Sequence, residues 1–271
     1  MIYVFQQWLF DKMNLNLKKK NALITGGANG IGEEISYKLA SEGVNIFITS
    51  RKKKNIDLLK KKLSKFKVNV DGVALDFLKK NWIVKIKKFL KNKSIDILVN
   101  NAGHNLNVTD PYCKRKNWDD VMNINFFNSV EICNIIIPKM KKNKWGRIVN
   151  ITSCAGLENM GPVTYGVAKA SLTAYTRTMG RILATEAKNV VMTAIFPGVV
   201  ITRGGHWDKV LKSNPARAKK YLNERAPLKR FGKPNEIAPV VAFYCSDLAS
   251  FSHGAIIPVD AGQSRHYMYF N

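Results

Sequence analysis

An α/β fold built on a doubly wound parallel sheet is what this sequence predicts, and three observations predict it. Short apolar runs recur along the chain, too continuous for half-exposed strands. Segments with helical periodicity separate them. A glycine-rich string, TGGANGIG at 25–32, joins the first run to the first helical segment. Apolar runs alternating with helices mean a parallel sheet covered by helices on both faces. Right-handed crossovers then give a Rossmann-like sheet wound both ways from its middle.

The first strand is expected at 22–25, where the apolar run meets the glycines. Helical periodicity holds over 31–41 and stops at Gly43. A second apolar run covers 44–49, a Lys-rich helix 55–66, a third strand 68–75 and another basic helix 79–92. The fourth strand, 95–99, ends in Asn100-Asn101-Ala102-Gly103. A long helix is expected over 118–142, a fifth strand over 147–152, a helix over 164–187 and a sixth strand over 190–196. Residues 203–225 form a polar, partly helical excursion; a helix near 235–248 and a last strand at 255–259 complete the pattern. No repeat, low-complexity stretch or Pro/Gly/Ser linker divides 17–271, which reads as a single domain. Residues 1–16 read as an N-terminal extension, whose opening MIYVFQQWLFDK lacks the basic start, apolar run and small-residue cleavage site of a signal peptide. It is either an aromatic arm for a partner or membrane surface, or the product of an upstream start codon; the conventional lead-in beginning at Met13 favours the second.

At 271 residues the chain can bury a sizeable core without disulfides. A hydrophobic content of 46% with 23% charged residues excludes a disordered chain. No apolar run reaches the roughly eighteen residues of a membrane-spanning helix. Lys plus Arg is 44 against 19 Asp plus Glu, a net charge of +25. Such a surface attracts polyanions over roughly 8–10 Å, or simply carries solvated lysines. The lysines are spread over 18–20, 52–54, 60–62, 85–93 and 139–144 without interleaved aromatics, so no nucleic-acid partner is expected. Cys113, Cys133, Cys154 and Cys245 form no CxxC pair, and His104, His206, His253 and His266 are scattered. No metal site is expected, and the compartment is expected to be reducing and cytoplasmic.

The string 25–32 has GxxxGxG spacing. Glycine permits positive φ and leaves no Cβ between backbone and ligand. Strand, glycine turn and helix start together aim free N–H groups and the positive helix end at a pyrophosphate; the alternative is a merely structural turn. A carboxylate after the second strand would bind the adenosine ribose and repel a 2′-phosphate. Here that position holds Ser50 and Arg51, followed by Lys52. Arg51 can hold a phosphate through charge-assisted bonds, which favours NADP(H) over NAD(H), unless Arg51 only opens the exposed Lys-rich segment. Asp76, after the third strand, either accepts from an adenine amino group or caps the following helix.

Tyr165 and Lys169 are four apart at the start of a helix and share a face. A nearby ammonium favours phenolate and lowers the phenol pKa from ~10, which suits proton exchange with an alcohol or carbonyl. Ser153 ends the preceding strand, where its hydroxyl can hold a substrate oxygen. Asn125 lies in the helix before it.

The whole ordered set resembles the short-chain dehydrogenase/reductase family. The matching strings are TGGANGIG, NNAG at 100–103, Asn125 in VMNIN, Ser153 in GRIVNITS, YGVAK from Tyr165, Pro197-Gly198 followed by Thr202, and the late RFGKPNEIAPVVAFYCSDLASFSHGAIIPVDAG. The resemblance spans 17–264. It implies that Tyr165 is the general acid in reduction and the base in oxidation, that Lys169 lowers the Tyr165 pKa and bonds the nicotinamide ribose, that Ser153 polarises the carbonyl, and that Asn125 keeps a water-linked proton path to Lys169. The implied cofactor set is Gly26, Asn29, Gly30, Ile31, Gly32, Ser50, Arg51, Asp76, Phe77, Asn101, Ala102, Gly103, Tyr165, Lys169, Pro197, Gly198, Val200 and Thr202. Homodimers or homotetramers through 118–142 and 164–187 are implied as well. Three departures stand out. Ser153 and Tyr165 are one residue closer than is usual in the family, Ala261 stands where VDGG is frequent, and Asn29 stands where NADP-preferring relatives often carry a base.

Substrate contacts are expected from loops at the C-terminal strand ends: His104, Asn105 and Asn107; Glu158, Asn159 and Met160; and Arg203, His206 and Trp207 in the excursion, read as a lid. Groups able to bond hydroxyls favour a sugar or polyol, unless most of them face solvent. A 3-oxoacyl chain on an acidic acyl carrier protein is the competing substrate, and a catalytically silent nucleotide sensor is the rival from another class.

Overall fold

The computed structural model describes residues 13–158 and 160–265. Among these, seven strands form one sheet: β1 (Asn21–Ile24), β2 (Asn45–Ser50), β3 (Val70–Ala74), β4 (Ile97–Asn100), β5 (Gly146–Ile151), β6 (Val190–Pro197) and β7 (Ile256–Val259). Their order is β3-β2-β1-β4-β5-β6-β7, and every pairing is parallel. The expected doubly wound α/β sheet is therefore present.

Alternation along each strand divides the core in two. Ile24, Ile48, Val99 and Ile151 join one layer with α1 (Gly30–Ser41), α2 (Lys53–Leu63) and α9 (Pro234–Tyr244). Leu23, Phe47, Leu98 and Ile148 join the other with α3 (Trp82–Leu90), α5 (Asn128–Lys142) and α6 (Val163–Glu186). Each such Leu, Ile or Phe is nearly or fully buried and contributes roughly 1.5–3 kcal/mol. β1, β2, β4, β5 and β6 are buried throughout or nearly so, whereas the edge strands β3 and β7 are half-exposed.

The structure differs from the sequence expectation in four places. The helix expected at 118–142 begins earlier, as α4 (Arg115–Met122), and swells into a π-turn at Asn123–Phe127 before α5. The last helix ends at Tyr244, and a short 3-10 turn at Asp247–Ala249 follows. The excursion is two helices, α7 (His206–Ser213) and α8 (Pro215–Arg225). Leu15, assigned to the N-terminal extension, is buried in the first core layer, so the domain starts before residue 17. The first dozen residues, expected to be an arm or the product of an upstream start codon, lie outside the described residues.

The strand order reverses between β1 and β4, and ligands of such sheets bind in the crevice at that switch point. The glycine turn after β1 and the Asn-Asn-Ala-Gly segment after β4 both open there.

Candidate active site

The glycine turn is fastened from three sides. Asn101 donates its side-chain amide to the carbonyls of Thr25 and Gly26, at 2.9 and 3.3 Å. The Thr25 hydroxyl accepts from the N–H groups of Asn101 and Ala102, both at 2.9 Å. Thr49, near the end of β2, accepts from Gly26 N–H at 3.1 Å. A Cβ on Gly32 would lie 2.4 Å from the Gly26 carbonyl oxygen and 2.5 Å from the Asn101 amide, so no side chain fits. Gly30, at φ +55°, leads into α1, with Asn29 extended at its N-cap. The Asn29 side chain makes no cap bond, so the first N–H groups of α1 keep open donors toward the crevice. Thr25 and Thr49 were absent from the sequence-derived set. The signal for both was a hydroxyl at the end of a buried strand.

At the end of β2, Ser50 is buried while Arg51 is exposed. Asp76 accepts from Leu78 N–H at 3.0 Å, which is the capping alternative in the form of a turn, since α3 begins only at Trp82. Phe77 is a correction. Its ring is buried in the second core layer, edge-on to Trp82 at 5.0 Å, and only its backbone can serve a ligand.

Asn125, Gly103, Lys169, Ser153 and Tyr165 converge above β4 and β5. The π-turn aims Asn125 inward, where its amide donates to the carbonyls of Val121 and His104, both at 2.8 Å. Its side-chain oxygen accepts from His104 N–H at 3.0 Å. Lys169 is buried and donates to the Ile151 carbonyl at 2.8 Å. A Cβ on Gly103 would lie 2.6 Å from the Asn125 oxygen and 2.9 Å from the Lys169 amine, so one methyl group would touch both. The Lys169 amine is 5.8 Å from the centre of the Tyr165 ring. Ser153 opens a short turn by accepting from Ala155 N–H at 3.2 Å.

Burial holds the Lys169 amine down at about 8. Burial likewise pushes the Tyr165 phenol above its ordinary value, while a hydrogen bond with Ser153 draws it part of the way back and the Cys154 thiol pushes it up. Burial is thus the largest influence on both groups of the pair.

The substrate candidates scatter. His104 accepts from Leu106 N–H on Nδ1 at 2.7 Å, which leaves Nε2 to carry the outward proton. Burial, then the charges of Arg51, Lys209 and His206, lower its pKa, so two separate segments, the end of β2 and α7, bring positive charge near it. Asn105 is spent on a local turn, accepting from Asn107 N–H at 3.0 Å. Glu158 accepts from Arg265 N–H at 2.8 Å. Trp207 is half-buried and packs against Tyr221 at 4.1 Å and Phe231 at 5.3 Å. His206 stays exposed beside it. Asn159 lies outside the described residues. Pro197 ends β6, Gly198 abuts Asp260, Val200 bridges to Gly232, and Thr202 sits against Gly30.

The fold and this cluster define a nucleotide-crevice α/β domain with a Ser–Tyr–Lys–Asn polar centre. A family model described as "Enoyl-(Acyl carrier protein) reductase" matches residues 26–264. A 3-oxoacyl-[acyl-carrier-protein] reductase FabG from Aquifex aeolicus is 35% identical over 254 residues, covering 92% of this chain and 99% of that protein. Dehydrogenase/reductase SDR family member 4 from Mus musculus is 31% identical over 257 residues, with 91% and 88% covered. L-sorbose reductase from Gluconobacter frateurii, solved with NADPH and L-sorbose, superposes with a TM-score of 0.85 at 28% identity, covering 93% of this chain and 98% of that one. The chain belongs to the short-chain dehydrogenase/reductase family and is an oxidoreductase of that type.

Proposed function

We propose that the protein is an NADP(H)-dependent reductase of a ketone to a secondary alcohol, with Tyr165 as the proton donor. The observation that carries this reading is the convergence of Tyr165, Ser153, Lys169 and Asn125 at the mouth of the glycine-turn crevice. The crevice fits a dinucleotide. The tight packing of Gly32 on the Gly26 carbonyl, which fixes the turn against α1, and the uncapped start of that helix suit a pyrophosphate held by Gly26, Asn29, Gly30, Ile31 and Gly32. Ser50, Arg51 and Asp76 line the adenosine end; Asn101, Ala102, Gly103, Pro197, Gly198, Val200 and Thr202 line the nicotinamide end. Arg51 and the absence of an acid after β2 support NADP(H), and the L-sorbose reductase relative was solved with NADPH.

A bound nicotinamide supplies or takes up a hydride. Ser153 donates to the carbonyl oxygen and orients it. Tyr165, kept protonated by burial, gives that oxygen its proton in reduction and retrieves it in oxidation. Lys169, anchored on the Ile151 carbonyl, replenishes the phenol, and Asn125 fixes the His104 backbone that walls the Lys169 cavity.

For the substrate, we favour a 3-oxoacyl chain on an acidic carrier protein. The FabG relatives and the +25 charge support it. The hydroxyl-binding set behind the polyol reading has thinned, since Asn105, Glu158 and Trp207 are otherwise engaged. The L-sorbose reductase likeness keeps the polyol as the second reading. NADPH consumption with carrier-bound 3-oxoacyl thioester, the free thioester and a ketose panel separates them. Turnover confined to ketoses overturns the carrier reading, and no turnover with any of them favours the silent sensor. We also propose a homodimer or homotetramer through α5 and α6, near which Phe127, Val163 and Val167 expose apolar surface. The cytoplasmic setting remains part of this proposal. Among the described residues, no helix is long and apolar enough to cross a membrane.

A further inference from the structure

We propose that Gln263 is a positioning residue, a strap whose two hydrogen bonds hold the lid (α7 and α8) docked on the loop after β6. Its Oε1 accepts from Val199 N–H at 2.7 Å, and its Nε2 donates to the Tyr221 hydroxyl at 2.9 Å. One buried amide thus joins α8 to the segment that runs through Val200 to Thr202, where a Gly30 Cβ would touch the Thr202 methyl at 3.1 Å.

The strap is itself fixed. The Asp260 carboxylate accepts from Gly262 N–H at 3.1 Å and Ser264 N–H at 2.8 Å, and Gln263 N–H bonds the Asp260 carbonyl at 3.1 Å. A Cβ on Gly198 would lie 2.8 Å from Asp260 Cα, so this turn is seated directly on the loop after β6. The lid's two stems meet at one place, where Ile201 N–H bonds the Gly232 carbonyl and Gly232 N–H bonds the Val199 carbonyl, both at 2.9 Å. Between stems and tip, the lid holds together through Trp207 on Tyr221 and the small cluster of Val210, Ala218 and Phe231. It therefore moves as a unit about the stems, and the Tyr221–Gln263 bond is a polar tie at its far helix. Breaking that tie frees the lid while Val199 stays bound.

The assignment rests on 203–225 being the lid of the proposed crevice, and its test works without turnover. Exposed Lys209, Lys212, Arg217, Lys219 and Lys220 make the lid a trypsin substrate once it undocks. In the full ligand-free chain, Gln263→Met keeps the shape and removes both bonds. Tyr221→Phe removes only the lid half. Gln263→Glu keeps both, accepting from Val199 N–H and from the Tyr221 O–H. Gln263→Met and Tyr221→Phe should each speed cleavage within the lid by roughly fivefold, the weight of one net hydrogen bond. The double variant should be no faster than Gln263→Met, Gln263→Glu should match the parent, and all should keep the parent Tm. In turnover, KM for NADPH should rise in Gln263→Met with kcat held. Unchanged lid cleavage in Gln263→Met and Tyr221→Phe, additive effects in the double variant, or Gln263→Glu behaving like Gln263→Met would overturn the strap. Should Gln263→Met not fold, Tyr221→Phe against Gln263→Glu decides. A lid that responds as expected in a protein without reductase activity would sink the proposed function and leave the strap standing.

Discussion

Lys169 is an ammonium placed where water cannot reach it, and replacing it should make the protein more stable as it makes it inactive. Burial lowers its amine from 10.5 to about 8. Keeping the proton at pH 7 therefore costs the fold roughly 3 kcal/mol, at 1.36 kcal/mol per pKa unit. Lys169→Met keeps the length of the stem and removes the charge. It also loses the bond to the Ile151 carbonyl, worth about 1 kcal/mol. The variant should gain roughly 2 kcal/mol at pH 7, a rise in Tm of roughly 5 °C for a domain of this size. The sign with pH follows from the depressed value. Below about 8 both folded and unfolded lysines are charged and the penalty is complete. Between about 8 and 10.5 the unfolded chain holds the proton that the folded one has released, so the parent gains stability as pH rises. The gap between variant and parent should therefore close across that window. Urea melts of both proteins at pH 7, 8.5 and 10 measure it. A gap that stays constant over those three values refutes a desolvated ammonium at 169.

Tyr165→Phe should lower turnover by roughly a thousandfold, the scale of a lost general acid, with cofactor affinity by fluorescence titration unchanged. Arg51→Asp should weaken NADPH binding by roughly a hundredfold, through loss of one charge-assisted bond, while NADH binding moves little; equal losses for both would remove the specificity argument. Gly32→Ala places a methyl group 2.4 Å from a backbone carbonyl that cannot yield. It should destabilise by roughly 1–3 kcal/mol and abolish dinucleotide binding, both read from thermal melts with and without NADPH. Because the Tyr165 phenol is held above its ordinary value, reduction, which needs the proton, should persist through neutral pH. Oxidation, which needs the phenolate, should climb steadily from pH 8 to 10; a flat oxidation profile there would count against Tyr165 as the base.

The sheet was legible because the central strands are short, mostly apolar runs, as strands buried on both faces are. The glycine turn was legible for a similar reason, since Gly32 has no room for a side chain whatever surrounds it. The features that escaped the sequence depended on neighbours distant in the chain. Phe77 reads as a residue beside a cofactor-facing Asp76, yet its ring finds Trp82 and the core. Glu158 reads as a substrate contact, yet the fold also brings Arg265 N–H to its carboxylate. Arg147 reads as a charge opening a strand, but it is fully buried, bonded to the Ser246 and Asn189 carbonyls and to Asp247. The π-turn at Asn123–Phe127, which sits inside one otherwise helical run and buries Asn125, has no sequence signal of its own.

The Tyr165–Lys169 pair shows what spacing alone leaves out of the electrostatics. Four residues on a helix guarantee proximity, but proximity does not show how deeply the two groups are buried. Burial acts on both groups at once and in opposite senses, raising the phenol and lowering the amine, so each is pushed toward its neutral form. An amine at about 8 keeps its proton at pH 7 and releases it just above, so a modest field shifts the pH at which it does so. An anionic ligand entering the crevice supplies such a field, since negative charge nearby favours the ammonium. The ammonium then favours the phenolate. An anionic ligand on the glycine turn is therefore expected to hold the Lys169 proton to higher pH, and with it the positive charge beside the proposed acid, Tyr165.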